Sequence, residues 1–255
     1  MTQDLFRNNA YLTECSATVT AITAAGIVLD RTVFYPLGGG QAGDSGVLEL
    51  SDGRQIAIVD TRKGKAEDGS FNQDICHLPL PDVLARLLEQ EQSAGVRLTT
   101  GEQVTARIDW ARRHRLMRFH TTTHLLCHLV PQLVNGCSIT PDYARLDFNM
   151  TEALDKEVLS AGLARLVAAA QPVTVGAITD EELDANPALV KSMSVQPPRG
   201  SGNIRTVRIG ADELLDFQPC GGTHVANTAE IGQIIVTKIE KKSASTRRVV
   251  LGFAP

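Results

Sequence analysis

Two short motifs a hundred positions apart do most to limit how this chain can fold. HTTTHLL places His120 and His124 four residues apart, and PCGGTHV does the same for Cys220 and His224. On a helix that spacing puts both imidazoles on one face, one turn apart, where they can reach a common ion. In the second motif the glycines let the backbone bend tightly, so that a thiolate and an imidazole converge. Each half has a plain alternative: two histidines on a partly buried helix, with His128 extending the same stripe, or a small core cysteine beside a surface histidine. Two independent ligand pairs in one chain favour the metal reading, and three imidazoles with one thiolate suit zinc. The peptidase pattern HExxH is absent, because Thr121 stands where a base would have to be.

The 255 residues allow one large domain or two smaller ones. A 43% apolar and 21% charged composition is ordinary for a globular chain, and the apolar runs are too short to cross a bilayer. The opening MTQDLFRNNA lacks the basic-then-apolar order of a secretion signal, which predicts a cytoplasmic protein that does not meet a membrane. Five scattered cysteines make an odd number for a disulfide framework and read as thiols or ligands. A net charge of −4 argues against indiscriminate coating of nucleic acid, but not against a local basic patch.

The first hundred or so residues read as β. SATVTAI, GIVLD, TVFY, GVLEL and QIAIVDT are short runs separated by Gly and Asp turns, a spacing that suits a small barrel or sandwich. A helix is expected over PDVLARLLEQEQ, with Pro81 in its first turn, then a connector over SAGVRLTTGE and a strand over VTARIDW. From Trp110 the period changes. Leu116, Phe119, Thr123, Leu126, Leu129 and Val130 recur at steps of three or four, which predicts an amphipathic helix ending near Pro131. A second helix is expected from Asn149 to Gln171, with Asn149 and Glu152 as its capping box. NIRTVRIG, ELLDF, GQIIVTKIE and RRVVLGF follow as strands, so the second part reads as α+β.

FYPLGGGQAGDSG follows a strand but matches neither GxxxxGK[ST] nor GxGxxG, so ATP and dinucleotide binding find little support. It is either a glycine-rich turn of the β domain or a loop whose bare backbone comes close to a ligand.

Taken together, HTTTHLL, CGGTHV and FYPLGGGQAGDSG resemble the motifs of the free-standing alanyl-tRNA editing proteins, the AlaX family, and of the editing region of alanyl-tRNA synthetase. IDWARRHRLMRFHTTTHLL, ARLDF and KSASTRRVVLGF are similar to family segments as well, so the likeness spans most of the chain. It implies an amino-terminal β-barrel domain over 1–109 that carries the glycine loop, and an α+β zinc-binding editing domain over 110–255. Length and loop look like the medium-sized AlaX class, which implies a zinc enzyme that clears serine mischarged onto tRNA(Ala), in trans. The chain departs from the synthetases in NGCSITPDYARLDF, which lacks the Gln usually found before their Arg-Phe-Asp-Phe motif. Arg145 and Asp147 match that motif, or simply form an ion pair at a strand.

The chemistry suits such a sieve. A pocket shaped for alanine rejects serine by only ~10²-fold, whereas a site that hydrogen-bonds the hydroxyl can reject alanine by about 10⁴-fold. Thr32, just before the glycine loop in a strand matching the family's pattern, is the candidate reader, and Gln41 a candidate donor to the ester carbonyl or terminal ribose. Gly38, Gly39, Gly40, Arg118 and Arg145 are the expected substrate contacts. Arg107, Arg112, Arg113, Arg115 and Arg118, with Lys238, Lys241, Lys242, Arg247 and Arg248, are either solvated faces or a track for tRNA phosphates. Zinc can polarise the ester or activate water, but four protein ligands would close the site, so either one ligand leaves or zinc only orients substrate. Two alternatives stay open: a zinc hydrolase for another ester, such as Gly-tRNA(Ala), and a non-catalytic zinc-stabilised RNA-binding module. The sequence assigns no oligomeric state.

Overall fold

The structure is a computed structural model that describes residues 1–66, 68–89, 97–197, 199 and 202–254. It divides into two units, Met1–Gly38 with Ala42–Arg113, and Gly39–Gln41 with His114–Pro255.

The first unit contains β1 (Gln3–Asp4), β2 (Glu14–Thr23), β3 (Gly26–Leu29), β4 (Arg31–Thr32), β5 (Gly46–Leu50), β6 (Gln55–Lys65), β7 (Phe71–Pro79), α1 (Pro81–Glu89) and β8 (Gln103–Ile108). Antiparallel pairing runs in the ring β2-β3-β7-β6-β5-β8 and returns to β2, closing a barrel. Period-2 alternation fills it: in β6, Ile56 and Ile58 are buried, while Gln55, Ala57 and Val59 face outward. Leu29, Phe34, Leu48 and Val104 join them in the core.

TVFY differs from expectation, for only Arg31–Thr32 pairs as a strand, in parallel with β1. Val33, Phe34 and Tyr35 are buried, and side chains replace the missing ladder partners. Asp44 accepts the Tyr35 amide at 2.6 Å, and Arg113 donates to the Val33 carbonyl at 2.7 Å. β7 carries little strand signal in its first half, where Phe71 is followed by Asn72, Gln73 and Asp74 and the first three residues are exposed. The helix at Pro81 is described to Glu89; its expected last residues, and the connector up to residue 96, lie outside the described residues.

The second unit contains most of α2 (Trp110–Leu129), then β9 (Val134–Ile139), β10 (Ala144–Asn149), α3 (Lys156–Ala168), β11 (Val173–Ile178), α4 (Asp180–Ala185), β12 (Ile204–Ile209), β13 (Asp216–Pro219), β14 (Ile234–Ser243) and β15 (Thr246–Phe253). Two antiparallel sheets, β14-β15-β10-β9 and β11-β12-β13, make it α+β. Helix α3 lies along β14.

Helix α3 begins later than expected. Asp155, not Asn149, is its N-cap and accepts the Val158 amide at 2.9 Å. Asn149 is committed to β10, paired with Thr246 and donating its amide to Leu133. Helix α2 matches its expected span but is not simply amphipathic, since every residue from Phe119 to Cys127 is buried. Among the described residues no helix is long and apolar enough to cross a membrane.

Candidate metal centre

A buried helix rich in threonine needs its hydroxyls satisfied locally. Thr122 donates to the Arg118 carbonyl at 2.8 Å and Thr123 to the His120 carbonyl at 2.7 Å, so both bond within α2. His120 and His124 leave that helix one turn apart. Cys220 and His224 come from the glycine turn after β13.

The four ligand atoms lie within 4.8 Å of one another. Cys220 Sγ stands 3.5 Å from His120 Nε2 and 3.3 Å from His224 Nε2. A tetrahedral zinc with Zn–N near 2.0 Å and Zn–S near 2.3 Å requires ligand separations of roughly 3.3–3.7 Å. The donor set suits such an ion, and both sulfur-to-nitrogen separations fall in that range.

Each histidine is aimed from behind through Nδ1. His120 donates to Gln41 Oε1 at 2.7 Å, and His124 donates to Asp216 Oδ2 at 2.7 Å. His224 Nδ1 bonds Thr121 Oγ1 at 3.2 Å. With Nδ1 occupied, Nε2 is the atom offered to a metal. Gly222 keeps the centre open, because a Cβ there would lie 2.0 Å from His120 Cε1 and 2.4 Å from its Nδ1.

The electrostatics suit a cation. Burial opposes charge on Cys220, yet the adjacent His120 and His224 hold its thiol well below the usual range. Burial pushes His224 down to about 3, keeping it neutral. Burial also opposes charge on His124, but its bonds to Asp216 and Cys220 raise it to about 9. Asp216, disfavoured as an anion by burial, is held at about 2 by His124 and Lys191.

The other expected residues fall in several places. Gly39 and Gly40 have φ of +58° and +84°, and the Gly40 carbonyl accepts the Ile139 amide at 2.7 Å. Gln41 bridges Ile139 in parallel, so this piece of the glycine loop runs along β9, with Gly40 pressed against Cys137. Gln41 is fully buried; its oxygen accepts the Thr223 amide as well as His120, and its nitrogen donates to Thr223 Oγ1 at 2.9 Å. Gly38 accepts from the Tyr35 hydroxyl in the first unit. Thr32 is buried in that unit, accepting the Phe34 amide at 3.0 Å and bonding His77 Nε2 at 2.8 Å.

Many of the arginines in the two basic runs are engaged within the fold. Arg113 is wholly buried, paired with Asp44 and donating to Ala10 and Val33. Arg107 pairs with Glu14 and Glu49, and Arg112 donates to Gly43. Arg118 lies over Phe253 at 3.9 Å and donates to Ile231. Arg145 and Arg248 both pair with Asp147, and Arg247 is buried among backbone carbonyls such as those of Glu152 and Ser243. Lys241 and Lys242 remain exposed. Neither Asp216 nor Lys191 stood out by spacing, since ELLDF reads only as a strand.

Residues 204–250 match the family described as threonyl and alanyl tRNA synthetase second additional domain, and residues 6–75 match tRNA synthetases class II (A). An alanyl-tRNA editing protein AlaX-M from Saccharolobus solfataricus is 31% identical over 100% of both chains. One from Methanosarcina barkeri is 33% identical over 98% of each. An alanine–tRNA ligase of Metallosphaera sedula is 34% identical over 94% of this chain, which spans only 25% of that enzyme. A buried His₃Cys centre and these matches define an editing-type module shared with the synthetases. Among such modules, the chain belongs to the AlaX-M family of alanyl-tRNA editing proteins.

Proposed function

We propose that this protein is a zinc-dependent trans-editing hydrolase that cleaves the aminoacyl ester of tRNA(Ala) mischarged with serine. The observation that carries the reading is the convergence of His120, His124, Cys220 and His224 on one ion-sized space, each imidazole fixed by its own Nδ1 partner. The full-length likeness to free-standing editing proteins, rather than to a whole ligase, supports action in trans.

In this reading the three Nε2 atoms and the Cys220 thiolate hold zinc. With one of these four ligands displaced, bound zinc would supply a Lewis acid for the ester carbonyl. Gln41 holds the His120 ring in place, and the buried Thr121 and Asp216 do the same for the other two histidines. Thr32 takes the serine-reading role. Because His77 Nδ1–H donates to the Ile27 carbonyl at 3.0 Å, its Nε2 is an acceptor, and the Thr32 proton is committed to it. The Thr32 oxygen therefore offers a lone pair, the partner that a serine hydroxyl donor requires and alanine cannot use. Gly38, Gly39 and Gly40, with Arg118, Arg145 and the exposed Lys241 and Lys242, complete the proposed contacts to tRNA.

The deciding experiment is deacylation of Ser-tRNA(Ala), Gly-tRNA(Ala) and Ala-tRNA(Ala) by zinc-loaded protein, with and without chelator. Serine is released in a metal-dependent way while Ala-tRNA(Ala) is largely spared. If zinc-loaded protein leaves Ser-tRNA(Ala) intact, the reading is wrong.

A further inference from the structure

We infer that Lys191 and Asp216 are positioning residues that together fix how His124 meets the metal, an inference that rests on the metal reading above. Asp216 opens β13, four residues before Cys220, and its carboxylate is fully buried. Its two oxygens are divided. Oδ2 accepts from His124 Nδ1 at 2.7 Å and from Gln218 Nε2 at 2.8 Å, while Oδ1 takes the Lys191 ammonium. A buried carboxylate is costly unless paired by an opposite charge and well hydrogen-bonded. When His124 gives its Nε2 to a metal its ring is neutral; one imidazole N–H and one amide then do not cancel a full charge, and Lys191 supplies the cation that does.

Lys191 is itself located by backbone rather than by its own reach. Its carbonyl accepts the Val134 amide at 2.8 Å, the Met193 amide donates to Val134 at 2.9 Å, and Ser192 bridges Val134 in parallel. A single parallel bridge flanked by two backbone bonds thus ties the segment to the start of β9. From there the Lys191 side chain, one quarter exposed, reaches Asp216 beside an open depression lined by Leu189, Leu214 and Phe217. A chain of contacts therefore runs from a sheet edge through Lys191 and Asp216 to the second ligand of α2. Outer partners of this kind tune affinity by orienting the ligand, without touching the metal.

The test measures zinc affinity of the full chain by competition with a chelator, beside the absorption of the cobalt-loaded protein and the melting of the metal-free protein. Asp216→Asn weakens zinc about 10- to 100-fold. Its cobalt form keeps the thiolate charge-transfer band while the ligand-field bands shift, as His124 is freed to turn. Lys191→Met weakens zinc about fivefold at most, the value of a partly exposed ion pair, and Lys191→Arg restores it. Because Lys191 borders an open depression, Met there leaves no buried void, and this variant decides the matter if Asp216→Asn does not fold. Wild-type affinity in Lys191→Met, or wild-type affinity and spectrum in Asp216→Asn, overturns the relay. Absence of zinc uptake by the wild type removes both this inference and the metal reading. Uptake without hydrolysis of any ester removes only the proposed function.

Discussion

Gln41 Oε1 sits 2.7 Å from His120 Nδ1 and 3.1 Å from the Thr223 amide, so one buried oxygen orients a helix ligand and anchors the turn that carries His224. Gln41→Ala removes both of these bonds and the donation to Thr223 Oγ1, and leaves a buried imidazole N–H unpaired. Zinc affinity should fall about tenfold or more in chelator competition. Wild-type affinity would show that the Gln41 contact does no positioning.

Gly222→Ala tests the packing of the same centre. The added methyl would occupy space within 2.4 Å of two His120 ring atoms, so the ring must leave its place. Metal content after gel filtration should drop well below one equivalent, while far-ultraviolet circular dichroism stays that of the wild type. Full occupancy in the variant would contradict the tight approach.

Thr32→Val keeps shape and removes the hydroxyl. It strips partners from His77 Nε2 and the Phe34 amide, at a cost of about 1–3 kcal/mol in stability. The larger effect should be on selectivity, with the preference for Ser-tRNA(Ala) over Ala-tRNA(Ala) falling by at least about tenfold. Unchanged selectivity in a folded variant would remove Thr32 from the mechanism.

His77 makes the barrel unit sensitive to acid. Burial holds it at about 4, below the 6.5 of an exposed imidazole. As pH falls below 6.5 the unfolded chain takes up a proton that the folded one refuses, so unfolding is favoured. Stability is therefore full above about pH 6.5 and declines by up to about 3 kcal/mol as pH approaches 4. His77→Gln should flatten that part of the melting-temperature profile. An identical pH slope in the variant would count against the assignment.

Arg113→Met leaves Asp44 buried with its Arg113 cation gone. Because the pair is wholly enclosed, breaking it should cost about 3–5 kcal/mol, read as a lower urea midpoint for the barrel unit. A midpoint within error of the wild type would mean that the pair contributes no net stability.

The sequence disclosed what depends on local periodicity and on the chemistry of short motifs. The span of α2 was legible because Leu116, Phe119 and Leu126 repeat at helical spacing, and the four candidate ligands because two such pairs in one chain point to a common ion. Local pattern misled where a cap competed with a strand: Asn149 looks like an N-cap, but its backbone is taken by β10, and Asp155 caps α3 instead. TVFY has strand composition, yet Asp44 and Arg113, far along the chain, supply the backbone partners a neighbouring strand would have given.

Sequence alone determined which atoms could bind a metal, because ligand chemistry belongs to the residue. Tertiary structure alone decided which nitrogen of each histidine faces it. That choice is set by Gln41, Asp216 and Thr121, brought to the rings from a loop, a strand and the helix itself. It decided the fate of the arginines too. Arg113 and Lys241 carry the same charge in the sequence, but enclosure beside Asp44 makes one a structural member of the core, while the other faces solvent. Charge is a property of a residue, whereas burial and partnership are properties of where the chain returns.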